Sequence, residues 1–184
     1  NYMRIDGKPV KAARLFLGEE YKVQTQWLAE QFGVDEEHHT RVRFDRSIYN
    51  ELKAQFSIRF AFQELPTTGR ATTSLPANWT YTRAYHQLMI ELVALQTDNI
   101  RAALGGRTVK KLFIDGGFTD NEVYVKLLAH GFRELKVRTT DSSLGSALGA
   151  AIAISDKTLN SKFLKENYGL RKHQPFIVNA ASAS

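Results

Sequence analysis

Apolar positions along the 184-residue chain follow two periods, one of about two and one of about 3.6, and the switches between them mark short strands and longer helices. Near the start, Tyr2-Met3-Arg4-Ile5 and Ala13-Arg14-Leu15-Phe16-Leu17 flank Asp6-Gly7 and Lys8-Pro9, which is strong turn chemistry. Residues 1–18 therefore predict a hairpin, with Gly18 breaking its second strand. From 19 to 32, Tyr21, Val23, Trp27, Leu28 and Phe32 recur at helical spacing, and Gly33 supplies the cap. A second helix is predicted over about 46–56, with Asp45 as N-cap and Ile48, Tyr49, Leu52 and Phe56 on one face.

Residues 65–78 turn to Pro, Thr, Ser and Gly, and Pro66 and Pro76 deny the stretch regular structure, so it reads as a surface loop or flap. The longest helix is predicted over about 80–104. It carries Tyr81, Tyr85, Leu88, Met89, Leu92, Val93 and Ile100 on one stripe, with Thr80 as cap and Gly105-Gly106 at its end. A short buried strand, 110–114, then enters Gly116-Gly117. After it, Thr119 or Asp120 can cap a helix to about 130 with Val123, Leu127 and Leu128 inward and Gly131 closing it. A strand at 135–139 and a helix of small residues at 143–155 follow, and Asp141 to Ser143 suit the cap of that helix. Beyond 156 the pattern weakens, with one helical turn expected near 163–168.

Composition narrows the class without naming it. The apolar fraction of 43% and charged fraction of 24% suit one globular domain with a full core. There is no cysteine, which excludes disulfides and thiolate-bound metals and points to the cytoplasm. The most apolar run, 147–154, is far too short to span a bilayer, so no membrane association is expected. The net charge of +6 invites an acidic partner, but bases alternate with acids, as at Arg41, Arg43, Asp45, Arg46 and Glu51. No basic stripe interleaved with aromatics exists, so nucleic acid is not the expected partner. A chain that opens with Asn1 inside a hairpin is expected to be part of a longer protein.

Candidate chemistry concentrates at the carboxyl end of strand 110–114, where open α/β sheets bind ligands. Two adjacent glycines let a ligand touch backbone, and the helix that starts at once offers unpaired N–H groups. Asn121, four residues after Gly117, is expected in the first helical turn, where its amide can donate and accept towards a base or ribose. Two readings of the glycines stand side by side: an adenosine site, and a tight strand-to-helix turn that needs glycine for its own geometry.

Three blocks resemble the FGGY carbohydrate kinases, relatives of glycerol, xylulose, rhamnulose and fuculose kinases. Ile114-Asp115-Gly116-Gly117 with Asn121 is similar to the family's adenosine motif, and Ser146-Ala147-Leu148-Gly149-Ala150-Ala151 to the helix that follows it. Ala94-Leu95-Gln96-Thr97 through Ala103-Leu104 is similar to the long helix that precedes the glycine strand. Leu15-Phe16-Leu17-Gly18 with Gln26-Trp27-Leu28 adds a weaker likeness.

The resemblance implies an α/β fold of the actin-like ATPase, ribonuclease H-like type, with a mixed sheet flanked by helices and lacking its first strand. Residues 1–160 would be the C-terminal nucleotide-binding lobe of a sugar kinase and 161–184 a tail. ATP or ADP would be held by Gly116, Gly117 and Asn121, with Gln26 beside the nucleotide, although Lys22 stands where some relatives have glycine. Mg2+ would accompany ATP. The catalytic base, the metal carboxylates and most sugar contacts would lie in a missing N-terminal lobe, so this chain alone would hold no catalytic residue and no metal ligand. A noncatalytic actin-like interaction or sensor module is the alternative.

Other residues take plainer readings. His38 and His39, adjacent on the chain, point about a hundred degrees apart on a helix and have no third ligand, so an exposed polar turn is expected. Asp115 is read as ordering the glycine turn. Asn78-Trp79-Thr80 fits a glycosylation sequon by chance, Trp27, Phe113 and Tyr124 are core candidates, and Thr67 to Thr72 lacks P-loop spacing.

Overall fold

The computed structural model describes residues 2–5, 8–63, 65, 72–140 and 170–176. The elements run β1 (Tyr2–Ile5), β2 (Lys8–Lys11), α1 (Leu17–Phe32), α2 (His38–Arg41), α3 (Arg46–Ala54), α4 (Tyr81–Leu104), β3 (Lys111–Ile114), α5 (Glu122–Gly131), β4 (Lys136–Thr139) and β5 (Arg171–His173).

Helix α4 is the longest element because its apolar stripe is unbroken by Gly or Pro over six turns. Thr80 caps it by accepting from Arg83 N–H, and Gly105 ends it in the left-handed conformation at φ 56°. Tyr85, Leu88, Met89 and Leu92 on its stripe are at most 1% exposed. Helices α1, α3 and α5 pack on α4, so this one stripe organises the core. At its far end Lys11 donates to the Ala102 carbonyl, a cation where the helix dipole favours one.

The two β units are separate. β1 and β2 form an antiparallel ribbon, whereas β3, β4 and β5 form a mixed sheet in that order. β3 and β4 are parallel, with Lys111 opposite Lys136 and Ile114 opposite Thr139. Parallel neighbours need a crossover, and α5 supplies it. β5 then pairs antiparallel with β4, Val137 opposite His173.

Several expectations shift. The second strand of the hairpin is Lys8–Lys11 rather than 13–17, and Gly18 lies inside α1 instead of breaking a strand. Pairing starts with Ile5 opposite Lys8, so the second strand begins earlier than the sequence pattern predicts. Phe113, expected in the core, is 50% exposed because it sits on the outward side of β3. Trp27 is partly buried and Tyr124 buried. The cap of α5 is Asn121 rather than Thr119 or Asp120. The α1 face that is fully buried carries Glu20, Gln24 and Thr25 beside Leu17, Leu28 and Ala29. Strand β5, within the stretch read as a tail, has too few apolar residues to announce itself. The small-residue helix 143–155, its cap at 141–143 and the turn at 163–168 lie outside the described residues.

Extended residues 57–63 run between α1 and α4. Glu91 accepts from Arg59 N–H at 2.8 Å and Phe60 N–H at 3.1 Å, and Glu20 accepts from Gln63 N–H at 2.8 Å. Each carboxylate is also bonded by a glutamine one helical turn away, Gln87 and Gln24 respectively. Side chains of two helices thus satisfy backbone groups that a sheet would otherwise pair.

Candidate functional site

The glycine turn follows directly from the end of β3. Thr140 N–H donates to the Ile114 carbonyl at 3.2 Å and Thr140 Oγ1 donates to Asp115 Oδ1 at 2.6 Å, so the ends of β3 and β4 are tied together. Asp115 therefore ties the entry of the turn to the end of β4. Gly116 then adopts φ 86°, a conformation that L side chains rarely enter. Its carbonyl accepts both the N–H and the hydroxyl of Thr119, at 3.1 and 3.0 Å. Asn121 N–H closes the turn on the Phe118 carbonyl at 3.2 Å.

The two glycines differ. Backbone geometry demands glycine at 116. Gly117 has no positive φ, and a Cβ built on it would meet no described heavy atom within 4 Å. Both are exposed. The fold's own geometry therefore accounts for the first glycine and leaves the second unexplained, at a place where backbone is open to an approaching group.

Asn121 stands just before α5 as its N-cap, not in the first helical turn. Its Oδ1 accepts from Tyr124 N–H at 3.0 Å. Its Nδ2 donates to Tyr85 Oη at 2.9 Å and Tyr21 Oη at 3.3 Å, and the two hydroxyls are 2.8 Å apart. Both tyrosines have raised pKa values, first of all through burial, so they act as neutral phenols. Burial likewise pushes Tyr124 up to about 12. Phe118, between the glycines and the cap, stacks on Tyr124 at 4.5 Å and meets Tyr21 edge-on at 5.1 Å.

Gln26 is placed elsewhere. It is exposed on α1 and borders a groove of about 530 Å3 together with Gln24, Trp27, Phe62, Gln63 and Thr73. None of Gly116, Gly117 and Asn121 borders that groove. Tyr21, also on α1, is the residue that reaches the turn. The structure thus gathers Gly116, Gly117 and Asn121 and sets Gln26 on a different surface of α1. Tyr21 and Tyr85 were visible in the sequence only as members of apolar stripes. The signal for their role is that each carries a hydroxyl on a core-facing position, where a partner is required.

Nothing described suggests a metal centre: no group of three His, Asp or Glu able to hold an ion occurs among the described residues. His38 and His39 lie in the one-turn helix α2 and pack their rings on Tyr81 at 4.6 Å and Tyr21 at 5.5 Å. Asp120 pairs with Arg171 at 2.9 Å, joining the turn to β5. No described helix is long and apolar enough to cross a membrane.

Comparison with known proteins agrees with this topology. A solved structure of a carbohydrate kinase from Novosphingobium aromaticivorans superposes with a TM-score of 0.55 at 18% identity, covering 92% of this chain. The chain spans 35% of that kinase's length. No curated protein matches. Residues 2–162 match the family described as carbohydrate kinase FGGY, C-terminal domain. The strand, glycine pair, capped helix and second strand follow in the order that the residue pattern predicts, and the chain belongs to the C-terminal domain family of the FGGY carbohydrate kinases.

Proposed function

We propose that this chain is the ATP- and ADP-binding lobe of a carbohydrate kinase, which transfers a phosphoryl group to a sugar hydroxyl. The fold we assign is the actin-like ATPase, ribonuclease H-like type. The observation that carries the reading is Gly117: exposed, free of any described neighbour that a Cβ would strike, and without a conformational need for glycine. A flat adenosine group laid against this backbone gives that glycine its reason.

The residues fit such a group. The Gly116-Gly117 backbone offers a surface without side chains, and the first N–H groups of α5 lie next to it. Asn121 serves by holding the turn, because its amide is engaged with Tyr21, Tyr85 and Tyr124. Gln26, on a different surface of α1 from the glycine turn, is not among the contacts proposed for the nucleotide. Magnesium would neutralise charge on the phosphates when bound, and positioning plus neutralisation account for most of phosphoryl-transfer catalysis. We place the metal carboxylates, the general base and the sugar contacts in the remainder of the full kinase, and the protein in the cytoplasm.

Isothermal titration calorimetry with ATP and ADP on the folded chain tests the reading. Saturable binding of either nucleotide is the expected result. A folded sample that takes up neither overturns it.

A further inference from the structure

We infer that Tyr85 and Tyr21 are positioning residues for the nucleotide turn: through Asn121 they fix where Gly116 and Gly117 stand relative to helices α1 and α4. This rests on the nucleotide reading above and adds a mechanism to it.

The strand ladder holds the turn only at its start, through Thr140 and the Ile114 carbonyl. Past Gly116 the chain has left the sheet; Phe118 packs on Tyr21 and Asp120 pairs with Arg171, and the first residue whose side chain hydrogen-bonds to both α1 and α4 is Asn121. That residue is bonded across sequence separations of 36 and 100 residues, to Tyr85 and Tyr21 respectively. The amide nitrogen lies within hydrogen-bond distance of both phenol oxygens, and the two hydroxyls bond each other at 2.8 Å. The amide cannot be flipped, since Oδ1 must face Tyr124 N–H and Nδ2 must face the phenols. One side chain thus joins the start of α5 to α4 and α1 at once.

The bonds sit where they count. Tyr85 is 1% exposed, so no bulk water replaces a lost partner. Tyr85 itself is locked in the stripe that forms the core, which makes α4 the fixed reference. Phe118 adds a second anchor on the Tyr21 ring, so the residues on both sides of Thr119-Asp120 end on the same tyrosine. The position of the open Gly117 backbone is thereby set by two residues that are not adjacent to it in sequence and lie on other helices.

The test separates positioning from bulk stability. Tyr85→Phe removes one hydroxyl, and Asn121→Ser keeps a good helix cap while being too short to reach the tyrosines. Val125→Ala, a buried α5 residue outside the triad, is the stability control. ATP affinity of the full chain is measured by calorimetry beside the thermal midpoint. Tyr85→Phe and Asn121→Ser are each expected to weaken ATP binding about five- to tenfold, and the double variant no further than the stronger single one. Val125→Ala is expected to lower the midpoint with affinity unchanged. Unaltered affinity in Tyr85→Phe, additive losses in the double variant, or an equal loss in Val125→Ala would each overturn the positioning role while leaving nucleotide binding intact. Absence of binding by the unmodified chain would overturn both.

Discussion

Glu20 and Glu91, on helices far apart in sequence, accept backbone N–H groups from the same extended segment, Glu20 at Gln63 and Glu91 at Arg59 and Phe60. Both are buried, 0% and 4% exposed. They work as acceptors that hold residues 57–63 in the crevice between α1 and α4, and Phe60 is carried into the core as a result, 1% exposed.

Replacing Glu91 should therefore be costly. Glu91→Ala strands two backbone donors, and a loss of about 2–5 kcal/mol is expected. Glu91→Gln should lose about 2 kcal/mol as well, because each carboxylate oxygen faces an N–H donor and the new amide must turn its own NH2 towards one of them. Urea unfolding measures both, and a Gln variant as stable as the parent would contradict the clamp.

The two glycines should separate on substitution. Gly116→Ala forces a side chain into φ 86° and is expected to cost about 1–2 kcal/mol of stability. Gly117→Ala should leave stability within about 0.5 kcal/mol, having no described atom to strike. It should nevertheless weaken ATP binding, by about tenfold for one methyl group in the contact. Calorimetry and thermal unfolding on the same samples check the pair, and a Gly117→Ala variant that binds ATP normally removes the main support for adenosine at this backbone.

Acid should destabilise the fold through His86. Its Nδ1 donates to the Thr82 carbonyl at 2.7 Å and its Nε2 accepts from Asp45 N–H at 2.8 Å, which fixes the neutral tautomer. Burial is the main reason its pKa lies below the ordinary histidine value. The stability this provides is complete above about pH 6.5, and it is lost as pH falls further, because the unfolded chain then takes up a proton that the folded chain refuses. His130 and His173 are lowered too, burial first, and act with the same sign. Urea midpoints at about pH 7.5 and about pH 5.5 should fall with acid, and the fall should shrink without vanishing in His86→Gln.

The end of the described chain should behave as a strap. Phe176 stacks on His130 at 4.2 Å and packs against Phe44 at 4.6 Å and Tyr49 at 4.8 Å, and His130 Nδ1 lies 3.2 Å from its carbonyl. Phe176→Ala should cost about 2 kcal/mol, less than a fully enclosed phenylalanine. Hydrogen exchange should rise first at β4 and β5, whose pairing the strap retains. Unchanged protection there would show that the strand pairing stands without the ring.

The sequence by itself determined what depends on neighbours along the chain. The stripe from Tyr81 to Val93 had only one way to bury its apolar side, and Thr80, Asp45 and Gly105 fell at helix ends because capping is local chemistry. The glycine pair after a short apolar strand was legible for the same reason, together with the family likeness built on it. Tertiary structure decided what depends on partners far away. Glu20 and Gln24 look like solvent-facing residues until segment 57–63 is laid against them. Strand β5 needs β4 to become a strand, since three residues of Arg-Lys-His carry no apolar signal. Asn121 reads as a free amide in the sequence, and only the arrival of Tyr21 and Tyr85 from other helices engages it, because hydrogen bonds between distant residues leave no period in the chain that makes them.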